Sequence, residues 1–157
     1  MPVKRKIRIA DNSRLREALE SVYEEAERIP SAQWALATAK RALDAAGIDY
    51  HAVDELADGF RVNELWQAGE AGVHDLRQAG FRIHRLARNC RSEVERAAMR
   101  AAGHAVGSGH MREHAMVASD YAVQTVGLLT SNDFVAVTAE REWQISELRQ
   151  ILGLWRP

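Results

Sequence analysis

The sequence predicts an all-α fold: a single-domain helical bundle of about six helices with a long central helix rich in alanine and glycine. Three observations predict it. Proline is confined to Pro2, Pro30 and Pro157, and an interior proline costs a helix about 3 kcal/mol. Alanine, the best helix former, is abundant along the whole chain. Apolar residues recur in steps of three and four, the period of one helix face. At 157 residues, 46% apolar and 27% charged, the chain has the size and balance of one ordinary domain.

Residues 1–12 are expected to form an extended arm, in which Ile7 and Ile9 flank Arg8 in a weak strand-like alternation. Asp11, Asn12 and Ser13 are all good N-caps. The stripe Leu15, Leu19, Val22, Ala26 and Ile29 then predicts a first helix closed by Pro30. Ser31 is the candidate cap of a second helix, which carries Trp34, Leu36, Ala39 and Leu43 and ends at Gly47, where a left-handed cap belongs. A third helix is expected from Tyr50 to Ala68, with Gly59 a candidate break and Gly69 and Gly72 bracketing the next turn. Val73, Leu76, Gly80, Ile83, Ala87 and Cys90 make the seam of a fourth. Ser92 and Glu95 form an S-x-x-E capping box. It opens the longest expected helix, residues 93–129, whose small residues Ala97 to Gly109 suit a central position clasped by neighbours. Thr130 to Asp133 is a polar break, and Ile145, Leu148, Leu152 and Trp155 are the stripe of a last helix.

A net charge of −1 provides no field to draw the chain to DNA or to an anionic membrane. Lys4, Arg5, Lys6 and Arg8 are a local exception; they read as a solvated arm, with phosphate contact as the alternative. Cys90 is the only cysteine, which rules out an internal disulfide and suits a reducing cytosol. Its arginine neighbours suggest a lowered pKa, but an inert, partly buried thiol is the plainer reading. No apolar stretch follows the basic N-terminus and no run reaches about 18 apolar residues. Neither a secretory signal nor a membrane helix is expected, and the expected location is cytoplasmic.

The sharpest local motif is His110-Met111-Arg112-Glu113-His114, an H-x-x-E-H match. On a helix, histidines four apart share a face and can share a metal ion, with Glu113 as general base. A protease also needs a carboxylate ligand on a separate helix, and the downstream acids, Asp120 to Glu147, lie close by. A DinB-like bundle metal site is the plainer form: His110 and His114 as the pair, with His51, His74 or His84 as the third ligand. On one continuous helix His104 would lie about 9 Å from His110 along the axis, which makes it a poor third ligand. There is no E-x-x-H, P-loop, C-x-x-C or G-x-S-x-G. Trp34, Trp66 and Trp143 read as core anchors, and Trp155 beside Arg156 as a candidate interface residue. The residues alone assign no catalytic group and no cofactor.

One stretch carries a resemblance. Arg96-Ala97-Ala98-Met99-Arg100-Ala101-Ala102-Gly103-His104-Ala105-Val106, followed by His110 and His114-Ala115, resembles the immunity proteins of bacterial polymorphic-toxin systems, specifically the immunity-protein-5-like helical domain. Trp34-Ala35, Trp66 with Gly69-Glu70, His84 to Arg88, and Glu140-Arg141-Glu142-Trp143-Gln144 fit the same family, over about residues 32–150. Trp66, Gly69, Glu70, Arg100, Gly103, His104, His110 and His114 are the matching motif positions. The family favours small residues where Glu113 stands, so the H-x-x-E-H match looks incidental.

The resemblance implies a non-catalytic, cytosolic binding module that protects its own cell by binding a cognate protein toxin. Glu17, Glu20, Glu24, Glu25 and Glu27 on the first helix would suit a basic toxin. Contact with nucleic acid or membrane is not expected. The rival readings are a metal-binding bundle using the histidine pair and a homo-oligomeric structural protein, a homodimer being its simplest form.

Overall fold

The structure, a computed structural model, describes residues 2–109 and 111–154. It is all-helical, and among the described residues it has seven α-helices and no strand: α1 (Ser13–Glu24), α2 (Arg28–Ala45), α3 (Asp54–Gln67), α4 (Val73–Asn89), α5 (Glu93–Gly107), α6 (His114–Leu129) and α7 (Phe134–Ile151). None of these helices is long and apolar enough to cross a membrane.

Most boundaries follow the local chemistry of the chain. Asn12 Oδ1 accepts from the Leu15 amide at 3.1 Å and caps α1. Ser92 accepts from the Glu95 amide at the start of α5, and Asp133 from the Val135 amide at the start of α7. Gly47 closes α2 at φ +74°, and its amide and that of Ile48 bond back to Asp44 and Leu43. Glycine is the residue that takes this left-handed turn without a Cβ clash.

Three boundaries differ from expectation. α1 ends at Glu24, and Pro30 sits in the first turn of α2 rather than closing α1. A first-turn proline removes an N–H that would have no helical partner, so it opens a helix at little cost. Ser31 is therefore fully buried inside the helix and does not cap it. Gly59 does not break α3. A Cβ there would lie 2.8 Å from Ile83 Cδ1 and 3.2 Å from Val106 Cγ2, so its role is close packing of α3 on α4 and α5.

The third difference is the largest. The expected long helix over 93–129 is two helices, α5 and α6, which fold back on each other as a hairpin joined by residues 108–113. This division accounts for a seventh helix where about six were expected.

The α5–α6 hairpin and α2 pack together at the centre. α4 covers α5 with α3 against it, and α7 lies against α6 and α2 with α1 on its outer side. α6 is buried on nearly every side, from Ala115 through Ala122 to Thr125. Trp34 is fully buried, and its indole donates to the Gln144 carbonyl at 2.9 Å. Small residues allow this crowding: a Cβ at Gly80 of α4 would meet the Gly103 carbonyl of α5 at 3.3 Å.

Candidate functional site

The α5–α6 turn brings three histidines from three helices together. His104 Nδ1 on α5 and His114 Nδ1 on α6 are 2.8 Å apart, a hydrogen bond in which one ring donates and the other accepts. His84 of α4 meets His104 edge-on at 4.6 Å, and the Tyr121 ring of α6 stacks on His104 at 5.4 Å. Arg100 Nη1 donates to His84 Nδ1 at 2.9 Å, which places the His84 proton on Nε2.

Burial and positive neighbours keep His84 and His104 uncharged near neutral pH. Burial first, then the Arg100 charge, lowers His84 to about 4. Burial, then His84, His114, Lys6 and Arg100, lowers His104 to about 3. Gly103 makes room for the corner: a Cβ there would come within 2.5 Å of His84 Cε1.

The loop beside this corner is clamped from several directions. Gly109 packs against Leu76 and Trp66, where a Cβ would meet Leu76 Cδ1 at 2.6 Å. Arg28 donates to the Gly109 carbonyl at 2.9 Å and lies over the Trp66 ring. The Tyr23 hydroxyl donates to the Arg112 carbonyl, while Arg112 lies over the Tyr23 ring and donates to the Glu24 carbonyl at 2.9 Å. Burial pushes Tyr23 up to about 12, so it stays a donor.

This geometry revises the metal candidates. α6 begins at His114, and the described residues 111–113 before it lie outside any helix, so the stretch that was expected to be one continuous helix through this motif is interrupted. His110 lies outside the described residues. His104, discounted on the premise of one continuous helix, is instead the ring that meets His114. His51 and His74 are exposed, and only His84 of the three expected third ligands joins the cluster. Among the described residues no three His, Cys, Asp or Glu side chains are arranged to hold a metal ion.

Of the remaining motif positions, Trp66 and Arg100 touch this region, and Gly69 and Glu70 follow α3. Trp66 backs the loop, Arg100 holds His84, and Gly69 takes φ +79° to turn the chain out of α3 beside exposed Glu70. Trp155 lies outside the described residues. Cys90 does not have the lowered pKa its arginine neighbours suggest: its thiol donates to the Leu86 carbonyl at 3.4 Å, and burial pushes it up rather than down.

A second polar centre, which the sequence reading missed, lies between α1, α6 and α7. Arg141 is fully buried and donates to both oxygens of Asp11 at 2.8 Å, to Asp120 at 2.7 Å and to Gln144 at 3.0 Å. Arg16 donates twice to Asp120, at 2.9 and 2.8 Å. Burial alone would raise Asp11, but its bonds to Arg141 and the charges of Arg141 and Arg5 outweigh that and hold it below the usual carboxylate range. A network this fully paired fixes the arm end and three helices in one arrangement. The one sequence signal for it was the Glu140–Gln144 segment of the family resemblance.

A family model described as Imm-5 like putative immunity protein matches residues 21–151. The chain belongs to that family. The match spans the histidine corner, the clamped loop and Asp120, Arg141 and Gln144 of the buried network. No curated protein matches the chain. No solved structure matches it either.

Proposed function

We propose that this protein is a non-catalytic immunity module, which neutralises a protein toxin by binding it and covering its active site or substrate groove. The family match over residues 21–151 carries this reading. The state of the reactive side chains supports it. Cys90 is held as a thiol, and His84 and His104 serve as neutral packing and hydrogen-bonding groups.

A stable complex of this kind buries roughly 800 Å² on each partner, with a few aromatic and charged anchors. Glu17, Glu24, Glu25 and Glu27 of the α1 region are exposed, while Glu20 is tied to Arg16. These acids suit a basic toxin surface. The toxin would be met in the cytoplasm, where a lone thiol stays reduced.

Calorimetry of the purified protein with the toxin domain encoded beside it tests the proposal. A saturable one-to-one titration is expected. No binding at micromolar concentrations of both would refute it.

A further inference from the structure

Residues 7–10 of the arm form one wall of a groove along α5 and α6. The groove has two parts, of about 280 and about 330 Å³, which share Gln124 and Leu128 of α6. Arg96, Arg100 and Tyr121 line the first part, and Arg8 and Asn132 the second.

The cations of this groove have no carboxylate to answer them. Arg100 donates to His84 Nδ1 through Nη1, and Arg96 donates to the Ala87 and Cys90 carbonyls through Nε and Nη2. All three acceptors are neutral groups. No described carboxylate lies within ion-pair distance of Arg8, Arg96 or Arg100. Glu93, exposed in the first turn of α5, is the one acid among the described lining residues. Three arginines against one glutamate leave an excess of two positive charges. The rest of the basic arm is balanced: Arg5 pairs with Asp11, and Lys4 and Lys6 line a separate cleft beside Glu20, Glu24 and Glu113.

We infer that this groove binds a small phosphorylated molecule, whose phosphoryl oxygens are received by Arg8, Arg96 and Arg100. The number of donors favours phosphate over carboxylate. Besides the arginines, the Tyr121 hydroxyl and the Gln124 amide line the groove, and neither side chain makes a hydrogen bond to a described residue. A phosphoryl group presents three strong acceptor oxygens, a carboxylate only two, and guanidinium forks match both with parallel bonds. Part of the site is ordered before binding. Arg100 is held by His84, and the Tyr121 ring is stacked on His104, so less side-chain entropy remains to be lost. Ile7, Ile9, Ala97 and Leu128 supply an apolar wall for the organic part of the ligand, as small-molecule sites commonly do.

Calorimetry with sodium pyrophosphate as the probe, in about 0.15 M salt to screen diffuse attraction, tests the site. Saturable one-to-one binding with a Kd below about 1 mM is expected. Arg100→Gln removes one of the three charges. Gln124→Glu places a carboxylate at the position common to both parts of the groove, where the native side chain has no described hydrogen bond to lose. Melting temperatures establish that both variants are folded. Each should lose about ten-fold or more in affinity. A Lys4→Gln, Lys6→Gln variant, altered outside the groove, should bind within about two-fold of the wild type. Malonate, with two carboxylates, should bind more weakly than pyrophosphate. Absence of saturable binding, groove variants that bind like the wild type, an equal loss in the lysine variant, or malonate binding as tightly would each overturn the inference. The toxin takes no part in this experiment, so its failure leaves the binding-module reading standing.

Discussion

Acidification from about pH 7.5 to about pH 5 should strip this protein of a large part of its stability, and the histidine corner should be the cause. An imidazole in an unfolded chain ionises near about 6.5. In the folded protein His84 is lowered to about 4 and His104 to about 3. Below about pH 6.5 the unfolded chain binds protons that the folded corner refuses, so the linkage slope makes stability fall with pH. The loss begins near about pH 6.5 and continues until each ring ionises in place, near about 4 for His84 and about 3 for His104. At about pH 5 the two populations differ by about 1.5 log units per ring, or about 2 kcal/mol each and about 4 kcal/mol for both. Total stability of a domain this size is about 5–15 kcal/mol, so the change is large. Glu140, raised by burial, works in the opposite sense and makes this an upper figure. Urea unfolding at both pH values, on the wild type and on a His84→Gln, His104→Gln variant, is the assay. The wild type should lose about 2–4 kcal/mol and the variant far less. Equal pH slopes in the two proteins would refute the assignment to the corner.

Other perturbations follow from the same geometry. Asp120→Asn removes the charge that answers both Arg16 and Arg141. It should cost about 3–5 kcal/mol by urea denaturation; a loss under about 1 kcal/mol would show that Asp11 alone satisfies Arg141. Gly103→Ala places a Cβ against the His84 ring and should cost about 1–3 kcal/mol by overpacking. Adding His84→Ala removes that clash, so the double variant should be more stable than the sum of the single losses. Additive losses would mean that Gly103 and His84 do not press on each other.

The fold was legible wherever its chemistry is local. Asn12, Gly47, Ser92 and Asp133 act within a few residues of themselves, and each sits at a helix end as its residue type suggests. The α5–α6 break was only weakly marked, by Gly107-Ser108-Gly109 and the polar residues after it, because the groups that hold it are distant in sequence. Tyr23 and Arg28 clamp the loop from 89 and 81 residues away, and small residues on both sides of the break let it be read as a continuation of one helix. Missing the break put His104 on the wrong side of the metal argument. The buried network was hidden for a related reason. Charged residues are almost never fully buried unless paired, and pairing across 130 residues, as between Asp11 and Arg141, leaves no spacing to read. Asp120, named in sequence only among the acids downstream of H-x-x-E-H, is the acceptor shared by Arg16 and Arg141.

The most direct test of the account is a stoichiometric titration of the toxin's activity, with toxin held well above the dissociation constant. A binding module predicts activity falling in a straight line to zero at about one equivalent of this protein, with no dependence on incubation time. Progressive loss of activity at a small fraction of an equivalent would mean that the protein acts on the toxin as an enzyme, and undiminished activity at excess would mean that it does not neutralise this toxin. Either result would contradict the account.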